Sequence, residues 1–287
     1  MNPAELLHRW LAARLTPDAA AWLESATARV RGAVGDRELF FAIGEAPRRV
    51  GRDQLAPAAT ELQEATASRP GWDPRDWTLE GATRVCLLLA SSADGATFAR
   101  RLDTLCNAAE VNELVAFYRG LPLYPEPARY VMRAAEGLRS NIRLVFEAVA
   151  HRNPYPSEEL AETAWNQMVL KALFVGSRLD RIGGLDARAN ESLAQMLRDY
   201  AHERWAATRV ISPELWRCVG PYATGGALND FRRLLERGTE HERQAAALAL
   251  ASSVHEDARR LLDSHSELAA AVRAGRLDWQ ALADAFG

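Results

Sequence analysis

The stretch Glu162-Thr163-Ala164-Trp165-Asn166-Gln167-Met168-Val169-Leu170-Lys171-Ala172-Leu173-Phe174-Val175 decides how this chain is read. Set out at about 100° per residue, Trp165, Met168, Val169 and Ala172 fall on one side with Ala161, and Leu170, Leu173 and Phe174 cover much of the other. A helix that is apolar nearly all round is a buried one, so these residues predict a helix sunk within a layer of other helices.

The same grammar continues in both directions. An N-cap residue followed by proline at the first helical position recurs at Asn2-Pro3 with Glu5, Thr16-Pro17 with Asp18 and Ser212-Pro213 with Glu214, and each cap is placed to accept an orphan backbone N–H. Leu6, Leu7, Trp10 and Leu11, then Ala19, Trp22, Leu23 and Ala26, are spaced helically after the first two caps. Further helices are predicted near 78–91, 95–108, 110–119 and 127–151. At Asn153-Pro154-Tyr155-Pro156-Ser157 two prolines are expected to interrupt helix, with Ser157 capping a helix entered at Glu158. From 190 to 205, Leu193, Met196, Leu197, Tyr200, Ala201 and Trp205 build one apolar face. Leu228, Phe231, Leu234 and Leu235, then Ala245, Leu248, Ala249 and Ala251, mark amphipathic helices near the end. No alternating strand pattern stands out. The expected fold is all-α, an irregular multi-helix array of HEAT-like or α-solenoid-like character without a sheet.

The stretch 67–77, with Pro70, Gly71 and Pro74, reads as a connection. It sets an N-terminal helical group, 1–66, apart from a main array, 77–287, that contains a centre at 153–219 unlike the rest and HEAT-like helices at 226–287. A chain of 287 residues with 48% hydrophobic and 25% charged residues is an ordinary globular composition and can bury a sizeable core. The net charge of −3 and the dispersed arginine pairs give no single-sign field, so nucleic acid is not an expected partner. Cys86, Cys106 and Cys218 are widely separated in apolar contexts, as reduced thiols in the cytosol would be. No targeting segment or run of about 20 apolar residues is present, so a cytoplasmic, non-integral protein is expected.

The centre holds the candidate chemistry. Gln167 and Lys171 are four apart and share a helix face. Lys171 is the only lysine in the chain. In apolar surroundings it must snorkel, pair with a carboxylate or accept a depressed pKa, the last being the condition of catalytic lysines. Asn166 and Gln167 serve equally as interhelical hydrogen-bonding groups. Asp199 and Glu203 flank His202 at helical spacing beside Tyr200, an arrangement able to tune an imidazole, although no zinc-type spacing accompanies it. Asp186, Arg188 and Asn190 read as turn and cap residues tying two helices. Trp216 is a candidate contact anchor. Dinucleotide, Walker and nucleophile-elbow patterns do not occur in the sequence, and neither cofactor nor metal is expected.

The N-P-Y-P segment at 153–156, the A-W-N-Q-M-V-L-K-A-L-F run at 164–174, I-x-G-L-D-x-R-A-N at 182–190, D-Y-A-H-E-R-W-A-A at 199–207 and P-E-L-W-R at 213–217 resemble the EboA family. That resemblance implies a part in secondary-metabolite traffic. Genes of the family cluster with a prenyltransferase-like membrane protein and several enzyme-like partners, and no catalytic residue is established that could be carried over. Two readings follow. One is a non-catalytic cytosolic adaptor that binds a small metabolite, or proteins of the same gene cluster, close to a membrane partner. The other is an enzyme acting on a small precursor through Lys171 and the Asp199/His202/Glu203 face.

Overall fold

The computed structural model describes residues 1–91 and 94–286, and the chain divides into two compact units, Met1–Leu160 and Ala161–Gly287. The fold is all-α: among the described residues there is no strand or sheet, and Gln54 and Thr78 form an isolated bridge. No helix of the described residues is long and apolar enough to cross a membrane.

The first unit contains α1 (Pro3–Ala12), α2 (Pro17–Gly32), α3 (Arg37–Val50), α4 (Ala59–Ser68), α5 (Leu79–Ala90), α6 (Gly95–Ala108), α7 (Val111–Arg119), α8 (Val131–Arg139), α9 (Arg143–Ala150) and α10 (Tyr155–Glu159). The first two caps form as the spacing predicts: Asn2 and Glu5 make a reciprocal capping box, and Thr16 accepts from the Ala19 N–H. Each such cap stabilises its helix by about 1 kcal/mol. The centre of the unit is α5, which packs against α1, α2, α3 and α7. It is buried on every side, Glu80 and Arg84 included. Those two charges are tolerated because they meet one turn apart, Arg84 Nη1 lying 3.2 Å from Glu80 and Nη2 3.4 Å from Glu113, so that neither is an isolated buried ion.

The segment 67–77 lies inside this unit, where Trp72 stacks on Trp10 at 5.6 Å and meets Trp77 edge-on at 5.9 Å. Gly71 takes a positive φ of 78° against Pro154, and a Cβ there would come within 2.8 Å of the Pro154 side chain. The N-P-Y-P residues are spent on joints of this kind. Asn153 donates to the carbonyls of Tyr118 and Ala148 and accepts from the Tyr155 N–H, while Tyr155 donates to the Pro127 carbonyl.

Three local expectations are corrected. The predicted 127–151 helix is divided into a 3-10 turn at Pro127–Tyr130 and the helices α8 and α9. The double proline does not forbid helix, because Pro156 sits in the first turn of α10, where its missing N–H has no partner to lose. Ser157 accordingly lies within α10, its hydroxyl donating to the Pro154 carbonyl, and the next helix starts at Glu162 after Ala161.

The second unit contains α11 (Glu162–Phe174), α12 (Glu191–Ala206), α13 (Gly226–Arg237), α14 (Glu240–Ala251), α15 (Glu256–Asp263), α16 (Ser266–Arg273) and α17 (Trp279–Phe286). Short 3-10 turns at Pro213–Arg217 and Gly220–Tyr222 precede α13. Here the centre is α14, which touches α13, α15, α16, α17 and both 3-10 turns. Its small side chains permit this: Ala245, Ala246, Ala247 and Ala249 are all fully buried. Gly220 exploits the closeness, since a Cβ on it would lie 2.3 Å from the Ala249 carbonyl oxygen. Ser212 makes no side-chain cap, and Glu214 two residues on is instead a buried carboxylate.

Candidate functional site

α11 is the helix expected to be buried all round, and it is not. Trp165, Asn166, Met168, Val169 and Ala172 are buried, whereas Phe174 is 78% exposed, Gln167 is exposed and Leu170, Lys171 and Leu173 are half-buried. Gln167, Lys171 and Phe174 recur at i, i+4 and i+7, so they form one outward stripe. An apolar residue count cannot reveal which stripe is the more exposed one. The fully enclosed helices are α5 and much of α14 instead. Partial burial pulls the Lys171 ammonium below the ordinary lysine value of 10.5.

On the inner side, Asn166 and Asn190 exchange amide hydrogen bonds of 3.1 and 2.9 Å. Asn190 is also the N-cap of α12, its Oδ1 accepting from the Leu193 N–H at 2.8 Å. Arg188 lies over the Trp165 ring at 4.9 Å. Asp186 accepts from Nε and Nη2 of Arg217, each at 2.6 Å. The turn residues thus tie neighbouring helices, as their positions suggest. Glu214 completes the frame by accepting from the backbone N–H groups of Leu179 and Asp180 at 3.1 and 2.6 Å, and burial raises its carboxyl above the usual range.

Along α12 the polar residues part company. Asp199 accepts from Gln195 at 2.8 Å, one turn back, and Glu203 points into solvent. His202 turns toward α13, its Nε2 2.7 Å from Asp230. Asp230, only 7% exposed, also accepts from Arg198 at 2.8 Å. Beside this pair runs an aromatic ladder: His202 stacks on Trp205 at 5.5 Å, Trp205 on Trp216 at 5.6 Å, and Trp216 meets Phe231 edge-on at 5.4 Å. Arg233 caps the Trp205 face at 4.2 Å. Trp216 is fully enclosed, so the ring that meets solvent is Trp205. Tyr200 is half-buried, with Arg204 6.0 Å from its ring. Among the described residues no three His, Cys, Asp or Glu side chains are grouped as a metal ion would require.

The sequence reading passed over a concavity in the first unit. Between α1, α2 and α5 lies an open hollow of about 690 Å³, within the range that takes small molecules, about 300–1,000 Å³. Ala4, Glu5 and His8 of α1, Glu24, Thr27, Ala28 and Arg31 of α2, and Cys86, Leu89 and Ala90 of α5 contribute to its walls. Spacings of i, i+3, i+4 and i+7 on α2, and i, i+3 and i+4 on α5, are legible in the sequence as stripes, but nothing local says that three stripes converge. None of the eight candidate residues chosen from sequence lines this hollow.

The profile of the family described as "Metabolite traffic protein EboA" matches residues 3–220. The chain belongs to the EboA family. The EboA match takes in the hollow's lining apart from Met1 and Asn2, the Asn166–Asn190 joint and Trp216, and it ends before Asp230, Phe231 and Arg233. No curated protein and no solved structure matches the chain.

Proposed function

We propose that this chain acts in metabolite traffic as a non-catalytic helical adaptor of the cytosol. It holds a small metabolite, or proteins encoded beside it, and works next to a membrane partner without entering the bilayer. In the same reading the helical hairpins from α13 onward stack in HEAT-like fashion and present a partner surface. The observation that carries the proposal is the hollow between α1, α2 and α5, whose lining residues other than Met1 and Asn2 lie within the EboA-matched span. In support, several polar residues of the centre, Asn166, Asn190, Asp186 and Glu214, are engaged in holding helices together.

Purification of the tagged protein from its native cell, with mass spectrometry of retained small molecules and bound proteins, tests this. An enriched metabolite or a reproducible protein of the same gene cluster is expected. A preparation that retains neither overturns the proposal.

The His202–Asp230 contact favours one second reading, an enzyme acting on a small precursor through Lys171 and the Asp199/His202/Glu203 face. A half-exposed imidazole held 2.7 Å from a buried carboxylate is oriented as a general base would be. Full pathway output from cells carrying His202→Ala, and equally from cells carrying Lys171→Ala, removes that reading.

A further inference from the structure

We infer that the hollow between α1, α2 and α5 is a binding site for a small amphipathic anion, a molecule with an apolar body and a single carboxylate, sulfonate or phosphate. The inference deepens the metabolite-binding reading above and rests on it for its biological meaning.

The walls supply the apolar half. Ala4, Ala28, Leu89, Ala90 and the Cys86 thiol come together from three helices, and Cys86 and Ala90 are buried. Burial pushes the Cys86 thiol up to about 12, with Glu24 adding to the effect and Arg31 opposing it. Sulfur here is therefore a neutral, polarizable surface, and the Arg31 charge reaches it.

The rim supplies the charge. Glu5 is committed to the backbone N–H of Asn2 at 2.9 Å in the capping box. Arg9 is paired with Glu64, and Glu24 lies 3.5 Å from His8 Nε2. Arg31 alone of these rim charges has no hydrogen bond or ion pair among the described residues. Glu24 does not compensate it, because seven residues of helix separate the two by roughly 10 Å of axial rise.

One turn behind Arg31, Thr27 lines the same wall. It is 3% exposed, and its hydroxyl has no hydrogen-bond partner among the described residues. A helical threonine ordinarily satisfies itself on the carbonyl one turn back, and a buried hydroxyl left unpaired is costly. An unpaired donor next to an unpaired guanidinium on one helix face is what a bound oxyanion would complete.

Fluorescence titration of the full chain with anilinonaphthalene sulfonate, an apolar ring system bearing one anion, and with neutral phenylnaphthylamine tests the site. Ala28 and Arg31 both lie on the exposed side of α2, so substitutions there spare the core, and an unchanged thermal midpoint verifies that. The sulfonate is expected to bind saturably, with affinity falling about tenfold in Arg31→Gln. The neutral dye should be indifferent to Arg31→Gln, and Ala28→Trp should exclude both dyes by filling the hollow. Absence of saturable binding, or binding untouched by Ala28→Trp, overturns the site; an Arg31→Gln variant that binds the sulfonate as the native chain does overturns the anion. Pathway output in cells carrying Ala28→Trp separates the two levels. Unchanged output with dye binding lost leaves the site standing and defeats the metabolite-binding reading.

Discussion

Asn166 and Asn190 face each other across the α11–α12 joint and donate to one another's side-chain oxygens, at 3.1 and 2.9 Å. Asn190 also caps α12 through the Leu193 N–H and donates to the Arg188 carbonyl. One amide therefore serves a helix start, a turn and a neighbouring helix.

Removing either side chain leaves the other partly unpaired. Asn190→Ala is expected to cost about 2–3 kcal/mol, combining a lost cap with an unsatisfied Asn166. Asn166→Ala is expected to cost about 1–2 kcal/mol. The double variant should cost less than the sum of the two, and urea unfolding of all four proteins measures that coupling. Additive costs would show that the two amides do not depend on each other.

Glu214 gives stability an unusual pH slope. Burial raises its folded pKa above the ordinary 4.5, so between those two values the folded state holds more protons than the unfolded chain. The contribution of Glu214 is therefore greatest at low pH and declines as pH rises through that window. Asp36, held below its ordinary 3.8 chiefly by its hydrogen bond from Arg101, acts oppositely, and its contribution is lost as pH falls through the lowered value. Glu214→Gln should flatten the first slope and Asp36→Asn the second, in urea midpoints taken across pH.

The three cysteines should be silent in the native protein. Cys86, Cys106 and Cys218 are buried, and burial pushes each thiol up to about 12, which suppresses the reactive thiolate. A disulfide reagent should titrate almost none at neutral pH and all three in denaturant. Rapid native labelling of one position would place it on a mobile part of the surface.

Lys171 can be followed without interference from other lysines, as the chain contains no second one. Burial lowers its ammonium pKa below 10.5, so its acylation rate should rise at lower pH than for a free lysine side chain, as peptide mass spectrometry across a pH series would record. An apparent pKa at or above the free value would count against the enzyme reading, which needs an ammonium easily deprotonated.

Helix positions were legible because their signals are local. The caps at Asn2 and Thr16, the Asn190 start of α12 and the Leu228/Phe231/Leu234/Leu235 stripe of α13 each involve residues within a turn or two of one another, and each forms. The resemblance carried by the centre led to the right family for the same reason, since it is a matter of residues at fixed offsets. Which face of a helix is covered is not local. Phe174 looked like core by composition and stands in solvent, while the charged Glu80 and Arg84 lie buried within α5.

Sequence alone settled that this chain is all-helical, because hydrogen bonds from residue i to i−4 and the caps that end them are written in neighbouring side chains, and the family match settled that it is an EboA chain. The assembled structure decided the rest. It chose Asp230, 28 residues away, as the partner of His202, brought three stripes around one hollow, and left Arg31 and the Thr27 hydroxyl without partners among the described residues there. Charge pairing and enclosure are properties of groups that meet only when remote helices pack, and no spacing along the chain encodes them.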